Sequence, residues 1–147
     1  MADGLLLAGQ SGAKTIIDAA TLTGAAMTAV GGDYNAVFAL DQDASEEFLS
    51  ISNTENERHW PLPLEPFHAH RCPSNFADTA NSRAVKGGGP GGASNAAGFL
   101  SRFVPNNGQG WVHIDLASAY NDSPTPKWSA GGTGLGFRSI AAKLLKS

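Results

Sequence analysis

Thr15-Ile16-Ile17-Asp18-Ala19-Ala20, followed at once by Thr21-Leu22-Thr23-Gly24-Ala25, is the stretch on which the fold turns. Its β-branched start and apolar run predict a buried strand, and the small, hydroxylated residues after it predict a tight passage into a helix. Asn35 to Leu40 and Trp111 to Leu116 read as two further buried strands, with Asn75 to Thr79 as a weaker fourth. Helical patterns lie between them. Asp43 and Glu46 resemble a capping box for a helix through Phe48, Leu49 and Ser52. Ala93, Ala96, Ala97, Leu100 and Val104 keep helical spacing behind Gly91-Gly92. Phe137, Ile140, Ala141, Leu144 and Leu145 form an apolar stripe closed by Lys143 and Lys146. Strand followed by helix, repeated, predicts an α/β sheet covered on both faces.

The chain's 147 residues suit one domain or a piece of one, and 41% hydrophobic residues suffice for a core. A net charge of −3 argues against nucleic acid and anionic membrane surfaces as partners. The single cysteine, Cys72, fits a reducing compartment, and Asp3 stands where a secretory signal would be basic. The expectation is a soluble, cytosolic protein. His59 to Pro73, with Pro61, Pro63, Pro66 and Pro73, reads as a loop holding at most a short helix. Val85 to Gly92 and Asn121 to Gly134 read as loops as well.

Several features could carry chemistry. Lys86 and Gly87-Gly88-Gly89-Pro90-Gly91-Gly92 lead into a helix and could hold an anion, but the Gly-Lys-Ser/Thr of a P-loop is absent. Close passage of backbone explains the glycines as well. His68, His70 and Cys72 alternate, so on a strand they would share a face and could grip zinc; as a surface loop they would do nothing. Asp18, Asp78 and Asp115 interrupt apolar stretches, where a charge needs a partner. Each could ligate a metal, act as a base, or cap loop amides, and the capping role is the favoured one. Thr21 to Ala25 lets a ligand approach backbone, or simply makes a tight turn. His113 reads as a core histidine. No Gly-x-Ser-x-Gly elbow occurs, so an α/β-hydrolase triad is unsupported.

Asp18-Ala19-Ala20-Thr21-Leu22-Thr23-Gly24-Ala25 resembles the leucyl aminopeptidase (cytosol aminopeptidase) family. Gly110 to Asp115 with Ala117, and Gly131-Gly132-Thr133-Gly134 before an amphipathic helix, resemble its later blocks. Pro73 to Ala77, Gly92 to Ser94, Ala96 to Ser101 and Trp128 to Gly131 resemble the peptidase B branch. The resemblance implies part of a three-layer αβα catalytic domain with a mostly parallel or mixed central sheet. It implies cytoplasmic homohexamers that release N-terminal residues from peptides with two divalent metals, manganese or zinc. The family's Asn-Thr-Asp-Ala-Glu-Gly-Arg-Leu signature would stand just upstream of Ala2. Residues 1–147 are therefore expected to be the C-terminal segment of the catalytic domain, with no catalytic arginine or lysine, no metal ligand and no bound metal. The residues carried over are substrate-binding: Thr21, Leu22, Thr23 and Gly24 around the first side-chain pocket, then Ala117 and Tyr120, the latter where a methionine is frequent. A non-enzymatic α/β binding module that lost its metal site is the alternative.

Overall fold

The computed structural model describes residues 1–86 and 89–146. Gly87 and Gly88, within the glycine run, lie outside the described residues, as does Ser147. The elements in chain order are α1 (Ala2–Gln10), β1 (Ile16–Ala20), α2 (Gly24–Val30), β2 (Asn35–Phe38), α3 (Gln42–Thr54), β3 (His59–Pro61), α4 (Gly92–Ser101), β4 (Trp111–Asp115), β5 (Tyr120–Asn121), β6 (Gly131–Gly132) and α5 (Phe137–Leu145), with short 3₁₀ turns at Pro66–His70 and Asn106–Gly108.

The main sheet has the order β1-β4-β2-β3. β1 runs parallel to β4, and β2 runs parallel to β3 but antiparallel to β4, so the sheet is mixed. The pleat divides its side chains cleanly. Ile16, Ala36, Phe38 and Trp111 pack with Leu5 of α1, Ala26 of α2, and Ala93, Ala97 and Leu100 of α4. On the other face, Val37, Val112 and Ile114 pack with Phe48 of α3 and Ile140 of α5. Helices on both faces make the three-layer α/β architecture that the alternating pattern predicts. Among the described residues no helix is long and apolar enough to cross a membrane.

Local departures have identifiable causes. α3 begins at Asp41, not Asp43. The Asp41 carboxylate accepts the Ala44 amide at 3.3 Å and the Gly110 amide at 2.9 Å, tying the helix start to the foot of β4. These bonds, from Gly110 first and Ala44 second, hold its carboxyl below the ordinary value. Glu46 instead takes the Gln42 amide at 2.8 Å. Asn75 to Thr79 forms no strand. The Ser74 hydroxyl accepts the Phe76 and Ala77 amides, and the Ala80 amide turns back to the Cys72 carbonyl, so the backbone is used locally. β3 lies inside the proline-rich segment read as loop, and Pro61 is tolerated because β3 is a sheet edge. α1 carries no helical sign in Leu5-Leu6-Leu7 between Gly4 and Gly9. It is held by burial of Leu5 and by Gly9, where an added Cβ would meet Pro105 at 3.2 Å.

α5 forms where its periodicity predicts, but Phe137, Leu144 and Leu145 of the apolar stripe stay exposed. What anchors the helix is polar. The buried Glu57 accepts from the Ser139 amide at 2.8 Å, the Ser139 hydroxyl at 2.5 Å and the Arg138 amide at 3.4 Å, capping the helix from another element. Burial works against its charge, yet hydrogen bonds from Ser139, then Gly136 and Arg138, outweigh it and hold the carboxyl below 4.5. His59 sits beside it, edge-on to Phe48, and among the described residues neither ring nitrogen has a hydrogen-bond partner. Burial pushes its pKa below 6.5, and the nearby Glu57 charge opposes this only in part.

Acid should therefore loosen this corner. Folded His59 stays neutral where the unfolded chain already binds a proton, so its contribution is complete above about pH 6.5 and is lost as pH falls below that. Glu57 keeps its contribution above about pH 4.5 and loses it as pH falls through its lowered folded value. Between pH 7.5 and pH 5.5 the chain should therefore lose stability through His59. Melting temperatures of wild type and His59→Phe at the two pH values check this. The wild type should fall further, and equal falls would exclude His59 as the cause.

Candidate functional site

β1 and β4 are adjacent and parallel, with Ala20 opposite Asp115, so the segments following both strands leave the sheet at the same end. Ligand crevices of open α/β sheets form at such strand ends. The loop after β1 is fixed by Asp115, which is 1% exposed. One carboxylate oxygen accepts the Leu22 amide at 3.0 Å and the Thr23 amide at 3.3 Å. The other accepts the Thr23 hydroxyl at 2.7 Å. That hydroxyl in turn accepts the Ala26 amide at 3.0 Å, which makes Thr23 the N-cap of α2. A single carboxylate thus sets both the loop and the start of the next helix.

Asp18 is satisfied in the same way. It accepts from Trp111 Nε1 at 2.6 Å and lies 2.6 Å from His113 Nδ1. His113 is fully buried and stacks between Phe38 and Trp111. Asp18 and Asp115 are therefore structural carboxylates with named partners, and His113 is a core histidine. Asp78 differs, since it is exposed and its backbone carbonyl accepts from Arg102 at 3.2 Å.

Beside the pinned loop lies a cleft of about 900 Å³, within the usual range of ligand pockets. Leu22, Thr23 and Gly24 form one wall. Cys72, Arg83 and Asn95 come from the facing elements. α4 and the 3₁₀ turn bring these together: Gly98 passes so close to His68 that an added Cβ would lie 2.5 Å from its backbone. Arg83 Nη1 and Asn95 Nδ2 both donate to the Pro90 carbonyl at 3.3 Å. Burial pushes the Cys72 thiol up, against the pull of Arg83 and Arg102, so it is no activated nucleophile.

Of the six substrate-binding residues expected from sequence, the cleft gathers Leu22, Thr23 and Gly24. Thr21 precedes them in the same loop and is exposed. Ala117 is buried in the first core cluster, and Tyr120, 62% exposed, stands on β5 opposite Gly132. These three do not line the cleft. No sequence pattern marks Cys72, Arg83 and Asn95 as its wall, because no periodicity or spacing links them to the loop after β1.

The zinc reading of His68, His70 and Cys72 does not hold. The two histidines lie on a 3₁₀ turn with three residues per turn, so alternate side chains diverge instead of sharing a face. His68 Nδ1 accepts the Glu65 amide at 2.9 Å and its ring stacks on Phe67, while Cys72 is buried at the cleft. Among the described residues no three His, Cys, Asp or Glu side chains converge on a point that could hold an ion. Hydroxyls, amides, a guanidinium and one thiol line the cleft, which is a poor donor set for manganese or zinc. These residues do not fit the divalent metals that the resemblance implies.

The family model described as cytosol aminopeptidase family, catalytic domain, matches residues 1–141. The solved structure of a mutant tomato leucine aminopeptidase superposes with a TM-score of 0.84 at 31% sequence identity. The match covers 99% of this chain and 27% of that one, so the chain spans about a quarter of the tomato protein's length. With fold, strand-end loop and sequence in agreement, the chain belongs to the cytosol aminopeptidase family and carries sequence of its catalytic domain.

Proposed function

We propose that this chain forms the peptide-binding side of a two-metal aminopeptidase of the peptidase B type, one that releases N-terminal residues from peptides. In this reading residues 1–147 are the C-terminal segment of the catalytic domain, and the metal ligands, catalytic arginine and catalytic lysine are supplied by sequence outside them. Leu22, Thr23 and Gly24 line the first side-chain pocket, and Thr21 leads into it from the end of β1. Ala117 backs the site from the segment after β4, and Tyr120 stands at its outer side. The whole enzyme is a cytoplasmic homohexamer.

The observation that carries the reading is the loop from Leu22 to Gly24, held by Asp115 at the strand end and facing a cleft. With the Leu22 and Thr23 amides taken by Asp115, the pinned loop has its backbone carbonyls to offer an extended peptide at little ordering cost. The cleft's own residues suit binding and not hydrolysis. The chain by itself should release nothing from leucine or glutamate anilides with added manganese or zinc. The same chain extended upstream by the rest of a family catalytic domain should turn them over. Metal-dependent turnover by residues 1–147 alone would overturn the division of labour. An extended chain that binds peptides but stays inactive would favour the non-enzymatic binding module.

A further inference from the structure

Arg83 is the one charged side chain among the described residues lining the cleft, in a chain whose net charge is −3. Its Nη1 is anchored by the Pro90 carbonyl, which Asn95 also grips, so the guanidinium is held in place at the wall. Among the described residues no carboxylate pairs with it. Its other N–H donors, and its charge, remain available to a ligand. The rest of the wall combines apolar Leu22, Ala25 and Ala96 with the neutral donors of Asn81 and Ser82. A guanidinium in such surroundings recognises a carboxylate by paired, charge-assisted hydrogen bonds.

The volume says which carboxylate. About 900 Å³ is far more than one side chain occupies and suits a ligand of several residues. A cation on the wall of such a cleft can meet the free end of a chain lying in it. We propose that the cleft is a short-peptide groove in which Arg83 binds the C-terminal carboxylate, so that the site favours short peptides with a free C-terminus. This inference rests on the peptide-binding reading above.

The test uses peptides with a blocked N-terminus, which no aminopeptidase can consume. Calorimetric titration would compare N-acetyl-Leu-Gly-Gly with its C-terminal amide and with the amide of N-acetyl-Glu-Gly-Gly. The free acid should bind about tenfold tighter than its amide, and the preference should shrink with salt. Arg83→Gln should abolish the preference, and Arg83→Lys should keep part of it. Unchanged melting temperatures would show both variants folded. Equal binding of acid and amide by the wild type would remove the role of Arg83 and leave the groove standing. A glutamate amide as tight as the free acid would assign the cation to acidic side chains and overturn the proposal. No binding of any peptide would sink the peptide-binding reading itself.

Discussion

Asp115→Ala should lower folding stability by about 3 kcal/mol, because one side chain answers three donors at once. Removing it strands the Leu22 and Thr23 amides and the Thr23 hydroxyl. A buried group left without its partner costs about 1–3 kcal/mol. Leu22 and Thr23 are only partly covered, so water recovers some of that loss and the three costs do not add in full. Asp115→Asn should cost about half as much. It keeps one oxygen for the two amides but presents an amide donor to a hydroxyl that itself needs an acceptor. Urea unfolding of both variants measures the effect. Hydrogen exchange at Leu22, Thr23 and Ala26 should accelerate in the alanine variant, since the cap of α2 hangs on the same hydroxyl. A loss below about 1 kcal/mol, with exchange at those amides unchanged, would show that Asp115 does not hold the loop.

Gly98→Ala should destabilise as well, although helix propensity alone says the opposite. Replacing a mid-helix glycine by alanine ordinarily gains about 1 kcal/mol. Here the new Cβ would lie 2.5 Å from the carbonyl carbon and Cβ of His68 and 2.6 Å from its carbonyl oxygen. Two of those atoms are backbone, so no rotamer change relieves them, and overpacking costs about 1–3 kcal/mol or more. The clash wins, with a net loss of about 2 kcal/mol expected. The 3₁₀ turn must move away from α4, and the cleft wall that follows it through Cys72 moves too. Thermal unfolding reads the stability, and peptide titration reads the wall. A stabilised Gly98→Ala would mean that the turn yields freely and does not fix the cleft.

The strands around Asp18, Val37 and Ile114 were legible because apolar, β-branched runs of that length have few other uses in a soluble chain. The helix from Phe137 to Leu145 was legible from its period. Its burial was not, since periodicity marks a stripe and says nothing about which neighbour covers it. α1 and β3 were hidden for a related reason. Leu5-Leu6-Leu7 has no helical period, and Pro61 argues against a strand until its place on the sheet edge is known. The capping role of Asp115 was foreseen as a type, from the cost of a charge in an apolar strand. Its partners lie more than ninety residues away and could not be named.

By itself, then, the sequence determined the layered α/β class, the main strands, the family resemblance and the loop from Thr21 to Gly24. All of these rest on local pattern or contiguous motif. Tertiary structure alone decided that β2 runs antiparallel to β4 and that His68, His70 and Cys72 diverge. It alone decided that Arg83 faces the loop held by Asp115 across one cleft. The physical reason is the same in each case. Hydrophobic period and backbone preference act over a few residues, whereas register, side-chain convergence and the field inside a cleft arise only when distant segments are packed together.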